Sequence, residues 1–60
     1  MTDRLLTVQE AAECLRVPVP TLRYWRHKGT GPASFRMGRR VFYAESALDA
    51  FIAEKSAVAH

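Results

Sequence analysis

All three prolines and all three glycines fall between residues 18 and 38: Pro18, Pro20, Gly29, Gly31, Pro32 and Gly38. Proline removes an amide donor and fixes φ, and glycine admits left-handed backbone, so no long helix or strand can run through this stretch. The chain must therefore fold as short elements set between these breaks. Before them, Thr7-Val8-Gln9-Glu10 forms a capping box, and Val8, Ala11, Ala12 and Leu15 follow at helical spacing. A first helix is expected over about Val8 to Leu15, with Leu6 placed to staple onto Ala11. Pro18 and Pro20 bracket the entry of a second helix, running from Pro20 to about Lys28 and closed by Gly29. Leu22 and Trp25 are its inward positions.

After the Thr30-Gly31-Pro32 loop, Phe35-Arg36-Met37 and Val41-Phe42-Tyr43 flank a Gly38-Arg39 turn and read as a hairpin. Phe35, Met37, Val41 and Tyr43 are expected to face the core. Arg36 and Phe42 are expected to face out, with Gly38, Arg39 and Arg40 at the tip. Ala44 to Glu54 reads as a final helix with Leu48, Phe51 and Ile52 inward, and Ser46 with Asp49 offers a second capping box. Residues 1–54 form one domain and residues 55–60 a tail. The expected core is Leu6, Ala11, Leu15, Val17, Leu22, Trp25, Phe35, Met37, Val41, Leu48, Phe51 and Ile52.

The net charge is +3, but its distribution is uneven. Arg16, Arg23, Arg26, Lys28, Arg36, Arg39 and Arg40 lie between Cys14 and Ala44, a stretch with no acid. Asp3, Glu10, Glu13, Glu45, Asp49 and Glu54 all lie in the flanks. Concentrated like charge adds nothing to stability, and a block of this kind suits a polyanion.

Other function classes find little support. A chain of 60 residues has a small core and no second layer to wall a deep substrate pocket. His27 stands among basic residues and His60 is terminal, so no set of side chains has metal-ligand or triad spacing, and no glycine-rich loop is followed by a Lys-Ser pair. An enzyme, a metal site and a cofactor are therefore not expected. Cys14 cannot form an internal disulfide and lies in a helical pattern, where a buried apolar role is expected. No signal-peptide core and no apolar run near the ~20 residues of a membrane span occurs, so a cytoplasmic protein is expected.

Two short helices joined by a brief turn fit a helix-turn-helix, and the hairpin adds a wing. The expected fold class is mainly α with a small β-hairpin. The second helix is the basic one and can enter a DNA major groove, where arginine contacts phosphates or guanine edges. The candidate contacts are Pro20, Thr21, Arg23, Tyr24, Arg26, His27 and Lys28 on that helix, and Arg36, Arg39 and Arg40 on the wing.

Leu6-Thr7-Val8-Gln9-Glu10-Ala11-Ala12, Leu15-Arg16-Val17, Thr21-Leu22-Arg23-Tyr24-Trp25, Met37-Gly38-Arg39-Arg40-Val41 and Ala47-Leu48-Asp49-Ala50-Phe51 occur in that order. The series resembles the excisionase family of small winged helix-turn-helix proteins, relatives of the DNA-binding half of MerR-type regulators. The resemblance implies a DNA-bending factor that lines up on phage or mobile-element attachment sites and turns a tyrosine or serine integrase toward excision. It further implies double-stranded DNA as partner, self-association along it, and contacts from Thr21, Arg23, Tyr24, Arg26, Arg39 and Arg40. A small MerR-like transcriptional regulator is the alternative. The chain departs from the family where Pro18 stands in place of a capping serine, and where Phe42, Ala44 and Glu45 replace basic residues.

Overall fold

A computed structural model describes residues 3–58; the expectations for the extreme N-terminus and for His60 lie outside them. The order of elements is β1 (Leu5–Thr7), α1 (Val8–Leu15), α2 (Val19–Lys28), β2 (Phe35–Met37), β3 (Arg40–Ala44) and α3 (Glu45–Val58). The three strands form one antiparallel sheet in the order β1-β3-β2. The protein is a winged helix-turn-helix, mainly helical.

The local signals act as the sequence suggests at both ends of α1. The Thr7 hydroxyl accepts from the Glu10 amide at 3.1 Å, and the Glu10 carboxylate accepts from the Thr7 amide at 2.9 Å. Arg16 ends the helix in the left-handed region at φ 60°, and the Val17 amide returns to the Ala12 carbonyl at 3.0 Å. Helix α2 closes at Gly29, also left-handed at φ 81°.

The core is Leu6, Ala11, Ala12, Leu22, Tyr43 and Leu48, with Val8, Leu15, Val17, Val19, Trp25 and Val41 packed partly against it. Full burial of a leucine such as Leu22 or Leu48 stabilises by roughly 1.5–3 kcal/mol. Trp25 reaches the last helix, its ring 5.8 Å from that of Phe51.

Several expectations are corrected. The sheet has a third strand: Leu5, Leu6 and Thr7 pair with Ala44, Tyr43 and Phe42. Three residues are too few to show a strand period. Phe35, Met37 and Ile52 are not core but exposed, at 41%, 50% and 40%. For the hairpin the cause is register. Met37 pairs with Arg40 across the Gly38-Arg39 turn, so Phe35 stands opposite Phe42 and Arg36 opposite Val41. Directly opposed residues share a face. Val41 and Tyr43 face the core with Leu6, which puts Arg36 on their side and Phe35, Met37 and Phe42 on the other. Phe42 is half-buried beside Phe35, their ring centroids 6.3 Å apart.

Helix α3 continues to Val58, past the expected end at Glu54 and into the segment read as a tail. Ser46 does not build a local capping box. Its amide and hydroxyl both donate to the Asp3 carboxylate, while the Glu45 amide donates to the Arg4 carbonyl at 2.9 Å. Cys14 is free and exposed, contrary to the buried role expected of it.

Candidate nucleic-acid interface

Helix α2 begins at an extended Pro18, which has no side chain to cap it. The Pro18 carbonyl instead accepts from the Thr21 and Leu22 amides at 3.0 and 3.2 Å. Pro20 costs the helix no hydrogen bond, because first-turn amides have no intrahelical acceptor. The basic residues Arg26, His27 and Lys28 occupy the last turn, where positive charge suits the helix dipole.

The seven α2 candidates divide by position on the helix. Pro20, Arg23, Tyr24 and His27 follow the i, i+3, i+4, i+7 spacing of one face, and all four are exposed. This stripe lies opposite the inward Leu22 and Trp25. Tyr24 is 60% exposed, so it is no core aromatic, and the Lys28 ammonium stands 5.9 Å from its ring centroid. Thr21 is half-buried at the edge of the stripe.

Arg26 departs from the group. It sits one turn from Leu22 on the flank of the inward face, and lines a cleft with the 29–34 loop. Its charge acts on the buried Tyr43 phenol. Burial pushes that phenol above its ordinary pKa, and the opposing pulls of Arg26 and the Ser34 hydroxyl are smaller. The Tyr43 hydroxyl is buried without a hydrogen-bond partner of good geometry.

On the wing, Arg36, Arg39 and Arg40 are all exposed. Gly38 takes φ 64° at the first turn position, as a type II′ hairpin requires. Arg39 is therefore the charged residue of the turn itself. Arg40 belongs to β3 rather than to the tip, and Arg36 leaves the opposite face of the hairpin.

Arg40 and Arg23 meet at one cleft of about 330 Å³, lined also by Thr7, Val8, Gln9 and Val41. The cleft joins α2, the wing and the start of α1, and no acidic residue lines it. Sequence reasoning treated Thr7 only as a cap and missed Val8 and Gln9 here. The capping box was the available signal, since it marks where a helix N-terminus opens.

Among the described residues no cluster of three or more His, Cys, Asp or Glu could hold a metal ion. None of the described helices is long and apolar enough to cross a membrane. Neither a curated protein nor a solved structure matches the chain significantly. A family model does match, over residues 5–56, and its description is a helix-turn-helix domain. That span takes in every described element, from the first strand into the last helix. The chain belongs to the helix-turn-helix domain family, a family of DNA-binding domains, and DNA is its partner.

Proposed function

We propose that the protein is an excisionase-type factor, which binds and bends double-stranded attachment-site DNA and directs a partner tyrosine or serine integrase toward excision. One observation carries the reading: Arg23 of the exposed α2 stripe and Arg40 of the wing line the same cleft, so groove and backbone can be gripped together. Such a protein performs no catalysis and contributes geometry. Bending a site by 40–90° costs on the order of 1–6 kcal/mol, which several weakly bound copies along the DNA can share. In this reading Pro20, Thr21, Arg23, Tyr24, His27 and Lys28 approach the major groove, Arg39 and Arg40 the flanking backbone, and Arg26 and Arg36 supply long-range positive charge. The protein acts in the cytoplasm, on the nucleoid.

The test is capture of genomic DNA by the purified protein, followed by footprinting. Arrayed direct repeats beside an integrase crossover site, with bending in a circular-permutation assay, support the reading. A single protected site overlapping a promoter replaces it with a small MerR-like regulator. Absence of DNA capture at low salt overturns both.

A further inference from the structure

We infer that the cleft between Arg23 and Arg40 is a clamp for one backbone phosphate, and that Arg23 is therefore a positioning contact rather than a reader of bases. The inference rests on duplex DNA being the ligand and goes further by assigning a site and a chemical class to it.

Arg23 alone, seen as a residue of a recognition helix, suits base and phosphate equally. Its surroundings decide between them. Arg23 lines one cleft together with the wing residue Arg40 and with Thr7, Val8, Gln9 and Val41. Two guanidinium-bearing residues thus come together from elements far apart in sequence. Both are exposed, so neither is held by burial. Like charges brought together repel, and an anion seated between them removes that cost.

The start of α1 adds a donor. The capping box takes up the amides of Thr7 and Glu10, which leaves that of Gln9 without an intrahelical acceptor. The Glu10 carboxylate is engaged by the Thr7 amide and does not line the cleft. Thus two cations, the Gln9 amide and no acid line one open space. A phosphate diester matches that donor set in charge as well as in acceptors, whereas a guanine edge offers its N7 and O6 acceptors but no negative charge to set between two guanidinium groups. An anchor here fixes the angle between α2 and the wing on the duplex. Base discrimination then falls to the rest of the outward stripe, Pro20, Tyr24 and His27.

The experiment is equilibrium binding by fluorescence anisotropy across a salt series, with the full chain. Two probes are used: a mixed-sequence DNA duplex of two helical turns (~21 bp) and a duplex carrying a footprinted site. Arg23→Ala is expected to weaken both by the same factor, roughly tenfold, and to reduce the log–log salt slope by about 0.9. Arg40→Ala behaves alike. Because the two share one anion, the effect of Arg23→Ala changes when Arg40 is already alanine. Arg23→Lys recovers most of the mixed-sequence binding. Circular dichroism confirms folding of each variant, which both exposed positions should permit.

Two results overturn the clamp while leaving DNA binding intact. One is an Arg23→Ala variant that keeps mixed-sequence affinity and loses only site discrimination. The other is strict additivity of the two alanine substitutions. A wild-type protein that binds neither probe at low salt overturns DNA as the ligand, and the clamp with it.

Discussion

The Asp3 carboxylate accepts from the Ser46 amide at 3.3 Å, across 43 residues of sequence, and receives the Ser46 hydroxyl as well. The last helix is thus capped by the start of the chain. Together with the Arg4 carbonyl, which accepts from the Glu45 amide, it locks β1 against the β3–α3 junction. Losing a cap costs about 0.5–2 kcal/mol. Asp3→Ala should therefore lower the urea midpoint by about 1 kcal/mol in free energy at unchanged m-value. Asp3→Asn should recover part of it. An unchanged midpoint in Asp3→Ala would mean that the cap adds nothing.

The hairpin shows how much of the fold the sequence held and where the reading failed. Its two strands and its Gly38-Arg39 turn were all legible. A two-residue turn also dictates that Phe35 oppose Phe42, so assigning one to the core and the other to solvent contradicted the turn itself. Alternation along one strand does not carry the register that couples it to the next. The Asp3 cap and strand β1 were a different matter, since each depends on a partner some forty residues away and leaves no local period. In the candidate interface, the α2 stripe was legible from spacing. The departure of Arg26 could have been found from its i+4 relation to Leu22. The meeting of Arg23 with Arg40 needed the tertiary structure.

The corrected register makes a stability prediction. Met37 is half-exposed on the outer sheet face, while Leu22 is fully buried. Met37→Thr should shift unfolding free energy by less than about 0.5 kcal/mol. Leu22→Ala should cost about 2–5 kcal/mol, enough to unfold a domain this small. Thermal melts of both decide the matter. A multi-kcal loss at Met37 would return it to the core.

Arg16 holds a left-handed conformation at φ 60° in the turn between the two helices, and among the described residues it alone does so without being glycine. A side chain in that region costs roughly 1–2 kcal/mol, against about 0.5–1 kcal/mol of extra chain entropy for glycine. Arg16→Gly should therefore stabilise by about 0.5–1 kcal/mol, raising the melting temperature by several degrees. A lower melting temperature would show that the arginine side chain makes contacts that outweigh its strain.

Gly31 and Gly29 both have positive φ, at 78° and 81°, but their surroundings differ. A Cβ on Gly31 would lie 3.0 Å from the Trp25 Cβ, whereas one on Gly29 meets nothing within 4 Å. Backbone strain is common to both alanine variants, and only Gly31→Ala adds a steric clash. It should lose at least about 1 kcal/mol more than Gly29→Ala, with a change in Trp25 fluorescence that Gly29→Ala does not show. Equal losses would mean that the loop moves away from the indole freely.

Tyr43 links stability to pH at the alkaline end. Its phenol is buried without a well-formed hydrogen bond, and burial raises its pKa above the ordinary 10.0. The folded state therefore favours the neutral phenol. Below pH 10 both states carry it neutral, and the native packing of the ring is fully retained. Above that pH the unfolded chain ionises first, so stability falls as pH rises toward the folded-state pKa. Tyr43→Phe removes both the unpartnered hydroxyl and the titration. At pH 7 it should be neutral or stabilising by up to about 1 kcal/mol, because an unsatisfied buried hydroxyl is costly. Between pH 9 and 11 the wild-type urea midpoint should fall more steeply than that of Tyr43→Phe, the difference arising from this one group. Parallel curves for the two proteins would mean that the phenol ionises as readily in the folded protein as in the unfolded chain, and that the Arg26 charge offsets its burial in full.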